Sequence, residues 1–438
     1  MTDKQTALHP DSERAESRAD QTDRTTDRPS MLFVADFPEN IGRTNRHVKP
    51  LTRIADVTMV CIDPPTNVPE VEFRSSPTVG FRPLDLLIMF AVALVEGLRG
   101  DYDGVASFSL VPHGCFALAV GTVCRLPTHL GILGIDIDVH ATAWYGPVVR
   151  WLMRRFTVVS VPGSTYASTL HEHGVTPGST MRLINPIPDV GDEPPADDHD
   201  ERYDYLWVGR FESEKDPLLF VEALRERAAD DPDFSAAMVG DGSLSPAVES
   251  ALEAYGLTEQ VELTGWVDDP MKYYSASRVL VITSERDALP LTLLEGMSVG
   301  TACVATSVGN LSDMIHHGVN GLLVSDRTPA GVAEELERLD DEVLYEHIAA
   351  NATGVRDRYS TDALALDWEH VLLSMGVLAA PPALSIERSS STDRAEWTTV
   401  SPVEAADRGG ASSVPDTNGH RLSTETTETD GEVIVESD

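Results

Sequence analysis

Apolar residues in this chain fall into short β-branched runs, each followed by a glycine-bearing turn and then by a stretch with helical spacing. MLFVADF (31–37) predicts a strand, PENIGRTNRHVKPLTRIA a loop around Gly42 and a helix from about Thr44, and VTMVCI (57–62) a second strand. Strands and small-residue helices alternate from 105 to 138, and VVSVP (158–162) reads as a further strand entering a turn. The second half repeats the pattern with strands at 205–208, 235–239, 261–265, 279–283, 302–306 and near Val324, each leading into a turn and a helix. Such βα alternation predicts an α/β chain with parallel, doubly wound sheets, whose ligands sit beyond the carboxyl ends of the strands. One segment breaks the pattern. Residues 84–98 are almost continuously apolar, too short to cross a bilayer core that needs about 20 residues. They form either a buried helix or one lying on a membrane surface, and the scarcity of charge for a polar face favours burial.

Shifts in polarity divide the chain. Residues 1–30 are polar, with no hydrophobic run of a leader peptide, and are expected to be a tail. Residues 31–186 make a first domain, the Pro- and Asp-rich 187–201 a linker, 202–357 a second domain, 358–377 a final helix, and 378–438 an acidic Ser/Thr-rich tail.

Charge narrows the partners. Asp and Glu number 71 against 33 Lys and Arg, a formal charge of -38, and the lysines are only Lys4, Lys49, Lys215 and Lys272. Acids spread through an otherwise ordinary apolar content resemble the surface of a halophilic archaeal protein in a salt-rich cytoplasm, where a Debye length of about 3 Å leaves local cations in control. General electrostatic binding of nucleic acid or of an anionic membrane is disfavoured, because both would be repelled at moderate salt. Cys61, Cys115, Cys124 and Cys303 lie in apolar surroundings without a C-x-x-C pair, as reduced thiols of a cytoplasmic protein do.

The chemistry concentrates in VLVITSERDALPLTLLEGMSVG (279–300). Pro290 suits the start of a helix, and the amides of Leu291, Thr292 and Leu293 are then left facing outward as an anion site. Asp287 in the loop and Glu295 one to two turns into the helix could flank one ligand, since helical side chains lean back toward the N-terminus. Arg210 and Lys215 bracket the turn after the 205–208 strand. GDG at 240–242 lacks the third glycine of a dinucleotide fingerprint. His129, Asp136, Asp138 and His140 lie close in sequence, but D-x-D also occurs at Asp101 and Asp103, as so acidic a chain makes common, and no metal site is expected.

VGRFESEK, VGDGS, VELTGWV, SERDALPLTLLEGMSVG and GVNGLLV, in that order, resemble the nucleotide-binding domain of the retaining glycosyltransferases of family 4, over residues 205–357. The first domain is similar more weakly, through the Gly42 loop, GID at 134–136, and RLINPIP at 182–188 with Asn185. The resemblance implies a GT-B fold, two Rossmann-like domains facing a central cleft, with the last helix crossing back to the first domain. It implies that Arg210 and Lys215 hold the diphosphate of a UDP-, GDP- or other nucleotide sugar, Glu295 the ribose, and Asp287 a sugar hydroxyl, with Gly42, Gly209, Asp136 and the three amides lining the site. The activity implied is metal-independent, retaining transfer of a hexose-type sugar to a glycan, lipid or polyprenol-linked acceptor, without a cofactor, in the cytoplasm or at the cytoplasmic face of the membrane with a peripheral contact. An epimerase on the same fold and a catalytically idle nucleotide-sugar binder are the alternatives. Asp287 stands where the family has Glu, Ala288 where it has glycine, and Leu133 where it often has histidine. No first-domain base is therefore assigned.

Overall fold

Buried parallel strands need apolar residues on both faces, and most runs read as strands above meet that requirement. The computed structural model describes residues 28–37, 41–65, 68–176, 180–184, 186–187 and 202–379. The tail expected at 1–30 apart from its last three residues, Asn185, the linker apart from Ile187, and the acidic tail from 380 onward lie outside the described residues.

The first domain contains β1 (Ser30–Val34), β2 (Asp56–Cys61), β3 (Glu72–Ser75), β4 (Gly104–Phe108), β5 (Thr128–Gly131), β6 (Val158–Val161) and β7 (Thr180–Arg182). Its helices are α1 (Ile41–His47), α2 (Arg82–Arg99), α3 (Cys115–Cys124), α4 (Gly146–Met153) and α5 (Ser164–Glu172). The strands pair in parallel in the order β3-β2-β1-β4-β5-β6-β7. The second domain contains β8 (Tyr203–Val208), β9 (Ala236–Val239), β10 (Val261–Gly265), β11 (Ser277–Ile282), β12 (Ala302–Thr306) and β13 (Leu322–Val324), again all parallel, in the order β10-β9-β8-β11-β12-β13. Its helices are α6 (Pro217–Arg227), α7 (Ser245–Tyr255), α8 (Met271–Ser275), α9 (Leu291–Ser298), α10 (Leu311–Met314), α11 (Pro329–Glu337), α12 (Glu342–Ala352) and α13 (Val355–Arg358). Strand order reverses direction between β1 and β4 and between β8 and β11, and such switch points are where open α/β sheets bind ligands.

A last helix, α14 (Thr361–Ser374), packs on the first domain. Trp368 is fully buried and meets Phe33, Phe108 and His129 edge-on at 6.4, 6.2 and 4.8 Å, while its indole N–H donates to the His47 carbonyl at 3.3 Å. The amide of Ile184 donates to Asp367 of α14 at 3.1 Å and that of Ile187 to the carbonyl of Tyr359, two residues before α14, at 2.9 Å, so the chain around the interdomain segment is pinned to α14 and to the turn that leads into it.

Two expectations are corrected. Helix α1 starts at Ile41, not near Thr44, so Gly42 is its second residue and not a loop residue. A first-turn amide has no intrahelical acceptor in any case, so a glycine there breaks nothing. Residues 84–98 do form a helix, but only Met89, Ala93 and Gly97 of that stretch's core-facing stripe, with Asp85, are buried. Leu84, Leu87, Ala91, Val95 and Leu98 recur at spacings of three and four on the opposite, exposed face. An apolar run carries no amphipathic period, and so could not reveal that one of its faces is wet.

Candidate active site

At the second switch point the loops that follow β8 and β11 are stitched into one floor. The buried hydroxyl of Thr283, just past β11, accepts the Trp207 indole N–H at 2.9 Å and donates to the Asp216 carbonyl at 2.7 Å, and the Glu285 amide donates to the Glu214 carbonyl at 3.0 Å. Asp216 adopts a left-handed conformation (φ 48°), caps α6 by accepting the Leu219 amide at 3.2 Å, and pairs with Arg327. These anchors aim Lys215 out of the turn and onto Asp287. The two side chains form an ion pair in which Lys215 is about a quarter exposed and Asp287 nearly buried. Arg210 stands on the rim, 62% exposed and paired with Glu214 four residues on.

Close backbone approaches explain two glycines here. A Cβ on Gly240 would lie 1.8 Å from the Gly209 carbonyl oxygen, so the β8 and β9 turns meet backbone to backbone. A Cβ on Gly309 would lie 1.6 Å from the Asp287 carbonyl oxygen, and its φ of +56° already favours glycine. The loop bearing Asp287 therefore rests directly on the turn after β12.

Helix α9 opens beside this pair. Pro290 precedes it in extended conformation and caps the first turn with no side chain, so the amides of Leu291, Thr292 and Leu293 have no acceptor within the helix. Leu293, Leu294 and Met297 are its buried face. One turn in, the half-buried Glu295 accepts the phenol of Tyr274 at 3.0 Å. Burial holds the Glu295 carboxyl above the usual range, against the opposing pulls of the Tyr274 hydrogen bond and of Arg46, which reaches its field from α1 of the first domain. Helix α1 thus meets the second domain electrostatically through Arg46.

The facing wall comes from the loop after β5. Asp136 is fully buried, and its oxygens accept the Leu110 amide at 2.8 Å, the Leu133 amide at 3.1 Å and the Ser109 hydroxyl at 3.1 Å. It fastens the loops after β4 and β5 to each other, and burial pushes its carboxyl up despite those bonds. Asp138, two residues on, is the carboxylate presented to the domain seam, where it accepts the Tyr166 phenol at 2.6 Å. Gly134 abuts Ala288 so closely that a Cβ there would sit 3.1 Å from the alanine methyl. Asp287 lies near enough to help Asp138 and burial raise the Tyr166 phenol.

The seam is fastened by a helix cap made across domains. Helix α5 begins after Gly163, which has no capping side chain, and its Ser164 amide and hydroxyl donate to Asp313 while the Thr165 amide donates to Asn310 Oδ1 at 3.1 Å. Asn310 is fully buried and also donates to the Ala288 carbonyl at 2.7 Å. One asparagine therefore ties the first domain to the residue beside Asp287.

The clustered histidines and aspartates do not converge. His129 is fully buried with a ring nitrogen 2.8 Å from the Ser160 hydroxyl, and burial pushes it down to about 3. His140 Nδ1 lies 2.8 Å from the Tyr145 hydroxyl. Among the described residues no group of three or more His, Cys, Asp or Glu is placed to hold a metal ion. Tyr274, Tyr166, Asn310 and Arg46 were not singled out from the sequence. Their partners stand 21, 28 or more positions away, and only the GID turn, with an acid just past a strand end, hinted at the role of Asp136.

Residues 202–341 match the family model described as glycosyl transferases group 1. Alpha-D-kanosaminyltransferase of Streptomyces kanamyceticus is 32% identical over 157 residues, which are 35% of this chain and 40% of that protein. D-inositol 3-phosphate glycosyltransferase of Thermobispora bispora is 27% identical over 203 residues, 44% of this chain and 47% of the relative. The chain thus spans less than half the length of these curated relatives. Among solved structures, Anabaena HepE in complex with UDP superposes with a TM-score of 0.66 at 17% identity, covering 80% of this chain and all of that one. At that identity the likeness is one of fold, and it gives this chain the two Rossmann-like domains of the GT-B glycosyltransferases.

Proposed function

We propose, taking the second domain as a group 1 glycosyltransferase domain on a GT-B fold, that this protein transfers a hexose-type sugar from a nucleotide-diphosphate sugar to a glycan, lipid or polyprenol-linked acceptor, with retention at the anomeric carbon. The observation that carries the reading is the Lys215–Asp287 pair at the β8/β11 switch point, in the loop that leads into α9, the helix that carries Glu295. In this reading the donor's diphosphate takes the place of Asp287 as the partner of Lys215. Asp287 is then released toward a hydroxyl of the sugar. Arg210 turns from Glu214 to the same phosphates, and the α9 amides complete the anion site. Glu295 accepts the ribose hydroxyls as a carboxylate, each charge-assisted bond contributing about 1.5–3 kcal/mol.

Chemistry follows from where charge appears. The bond between the anomeric carbon and the phosphate oxygen breaks, the acceptor oxygen bonds to that carbon from the same face, and the acceptor's proton passes to the leaving phosphate. Negative charge grows on the diphosphate during this step, so Lys215, Arg210 and the amides stabilise the transition state more than the ground state. That positive charge is supplied by the protein itself, which supports a reaction without a metal. Anabaena HepE was crystallised with UDP and with UDP-glucose, which supports a nucleotide sugar as donor here.

Incubation with a panel of labelled UDP- and GDP-sugars at fixed salt tests the reading. Free nucleotide together with a glycosylated acceptor of unchanged anomeric configuration is expected. An isomerised donor would identify an epimerase, and tight binding without turnover an idle binder; either outcome overturns the proposal.

The ribose assignment has a pH signature. Glu295 binds hydroxyls best when ionised, and its pKa in the protein alone is raised, so nucleotide affinity is expected to fall as pH drops through a range above that of ordinary carboxylates. Tyr274→Phe removes a donor that favours the ionised form and should move this acid limb to higher pH. Titration of nucleotide binding between about pH 5 and 8 measures it. A limb unmoved by the substitution would assign the titration to another group.

A further inference from the structure

The candidate donor site has one further border, the loop between β10 and α8. The carboxyl edge of the second sheet runs to it without a break. The turn after β8 meets the turn after β9 where Gly209 and Gly240 touch, and the Gly240 amide donates at 2.9 Å to the carbonyl of Gly265, the last residue of β10. Residues 266–270 then lead into α8, whose buried Tyr274 donates to Glu295 at 3.0 Å. Burial is the main cause of the raised Glu295 carboxyl, and Asp269 lies near enough to add to it. An acid of this loop therefore stands beside the carboxylate assigned to the ribose.

Two opposite charges in this segment are left uncommitted to each other. Asp269 is exposed, and its Oδ1 accepts the Met271 amide at 3.0 Å, a bond that fixes the carboxylate while Oδ2 takes no partner among the described residues. Lys272 follows three positions later. Of the three described lysines, Lys49 pairs with Glu70 at 3.5 Å and Lys215 with Asp287, whereas Lys272 takes no carboxylate among the described residues and rests 5.0 Å over the Tyr273 ring. In a chain with 71 acids against 33 basic residues, that leaves a cation available to a ligand. Three positions apart at the start of a helical turn, an acceptor and a donor can reach one ligand together.

We infer, resting on the proposed donor site, that Asp269 and Lys272 read the base of the donor and that this base is guanine. A carboxylate can only accept and an ammonium only donate. Guanine alone of the common bases sets two adjacent donors, N1–H and the N2 amino group, beside a carbonyl acceptor, O6. Asp269 accepts the two donors, and Lys272 leaves the Tyr273 ring to donate to O6. Uracil offers a single N–H flanked by two carbonyl oxygens, so one oxygen of the carboxylate would face another acceptor. Adenine and cytosine place a bare ring nitrogen beside their amino group and would set its lone pair against Asp269. The pair thus selects by repelling the other bases as well as by holding guanine.

Calorimetric titration of the full chain at fixed salt with GDP, UDP and inosine diphosphate, which lacks the N2 amino group, tests the inference. GDP is expected to bind about 10- to 100-fold more tightly than UDP and about tenfold more tightly than inosine diphosphate. In Asp269→Asn the affinities for GDP and inosine diphosphate should become nearly equal while that for UDP holds. Lys272→Gln should narrow the gap between GDP and UDP about tenfold. A purely structural role of Asp269 at the start of α8 would weaken all three ligands alike and keep their ratios, and that result would overturn the assignment. So would a wild type that binds UDP as tightly as GDP, an outcome that leaves the proposed transfer standing. Binding of none of the three would overturn the inference together with the donor site on which it rests.

Discussion

Lys215→Ala is expected to lower turnover by about 10²- to 10³-fold, the loss that follows when one fixed group facing developing negative charge is removed. The size follows from position. Lys215 is one of four lysines in the chain, its loop is tied down through Thr283 and Asp216, and its charge sits in a partly buried site beside the start of α9. Stability should also fall, since the deleted ammonium leaves a nearly buried carboxylate without its partner. Asp287→Asn separates the two effects. It removes the acid while leaving Lys215 charged, so nucleotide-diphosphate affinity should hold or rise while sugar transfer falls. Single-turnover kinetics with each variant measures both. Equal activity in Lys215→Ala and wild type would remove Lys215 from the phosphate site.

The second large effect concerns stability. Trp368→Ala is expected to destabilise the fold by about 3–5 kcal/mol, the cost of emptying a buried aromatic site that closes only partly. Its indole fills the space between Phe33, Phe108 and His129 and donates to the His47 carbonyl, so the variant loses both packing and a buried hydrogen bond. Helix α14 is attached through this residue, and Asp367 and Tyr359 alongside it receive the amides of Ile184 and Ile187. Denaturant unfolding at constant salt measures the change. A shift below about 1 kcal/mol would place the attachment of α14 elsewhere.

Most of the parallel strands were legible in the sequence because a strand buried on both faces is an unbroken apolar run ending at a glycine or polar turn, whereas the short, polar and incompletely buried β3 and β7 were not read as strands. Burial of a strand's two faces leaves no room for ambiguity of that kind. Helix faces were less legible. In 84–98 apolar residues occupy both sides of α2, and composition alone cannot tell a core-facing leucine from one facing solvent. The start of α1 was displaced because Gly42 suits a loop as well as a first helical turn. In the candidate site, Glu295 and the first amides lie on one helix, α9, and Asp287 stands four residues before it, so their nearness in sequence carries directly into the structure. What the sequence did not reveal are the groups that act on them from afar. Tyr274 from another helix and Arg46 from another domain pull the Glu295 carboxyl down against its burial, and Asn310, which braces Ala288, takes the Thr165 amide across the seam with its other amide atom. Asp136 and Asp138 differ by two positions, and only the turn after β5 decides that the first fastens the backbone while the second meets Tyr166.

The β8/β11 switch point is expected to bind a nucleotide diphosphate, with Glu295 on its ribose side and Lys215 on its phosphate side. A thermal-shift titration at fixed salt with UDP, GDP and the matching nucleosides tests it most directly, because a ligand that binds only the folded state must raise the melting temperature. One of the two diphosphates is expected to stabilise the wild type. Lys215→Ala should lose the advantage of the diphosphate over the nucleoside, and Glu295→Ala the response to both. Full stabilisation of both variants by the same nucleotide, or none of the wild type by either, would contradict the claim.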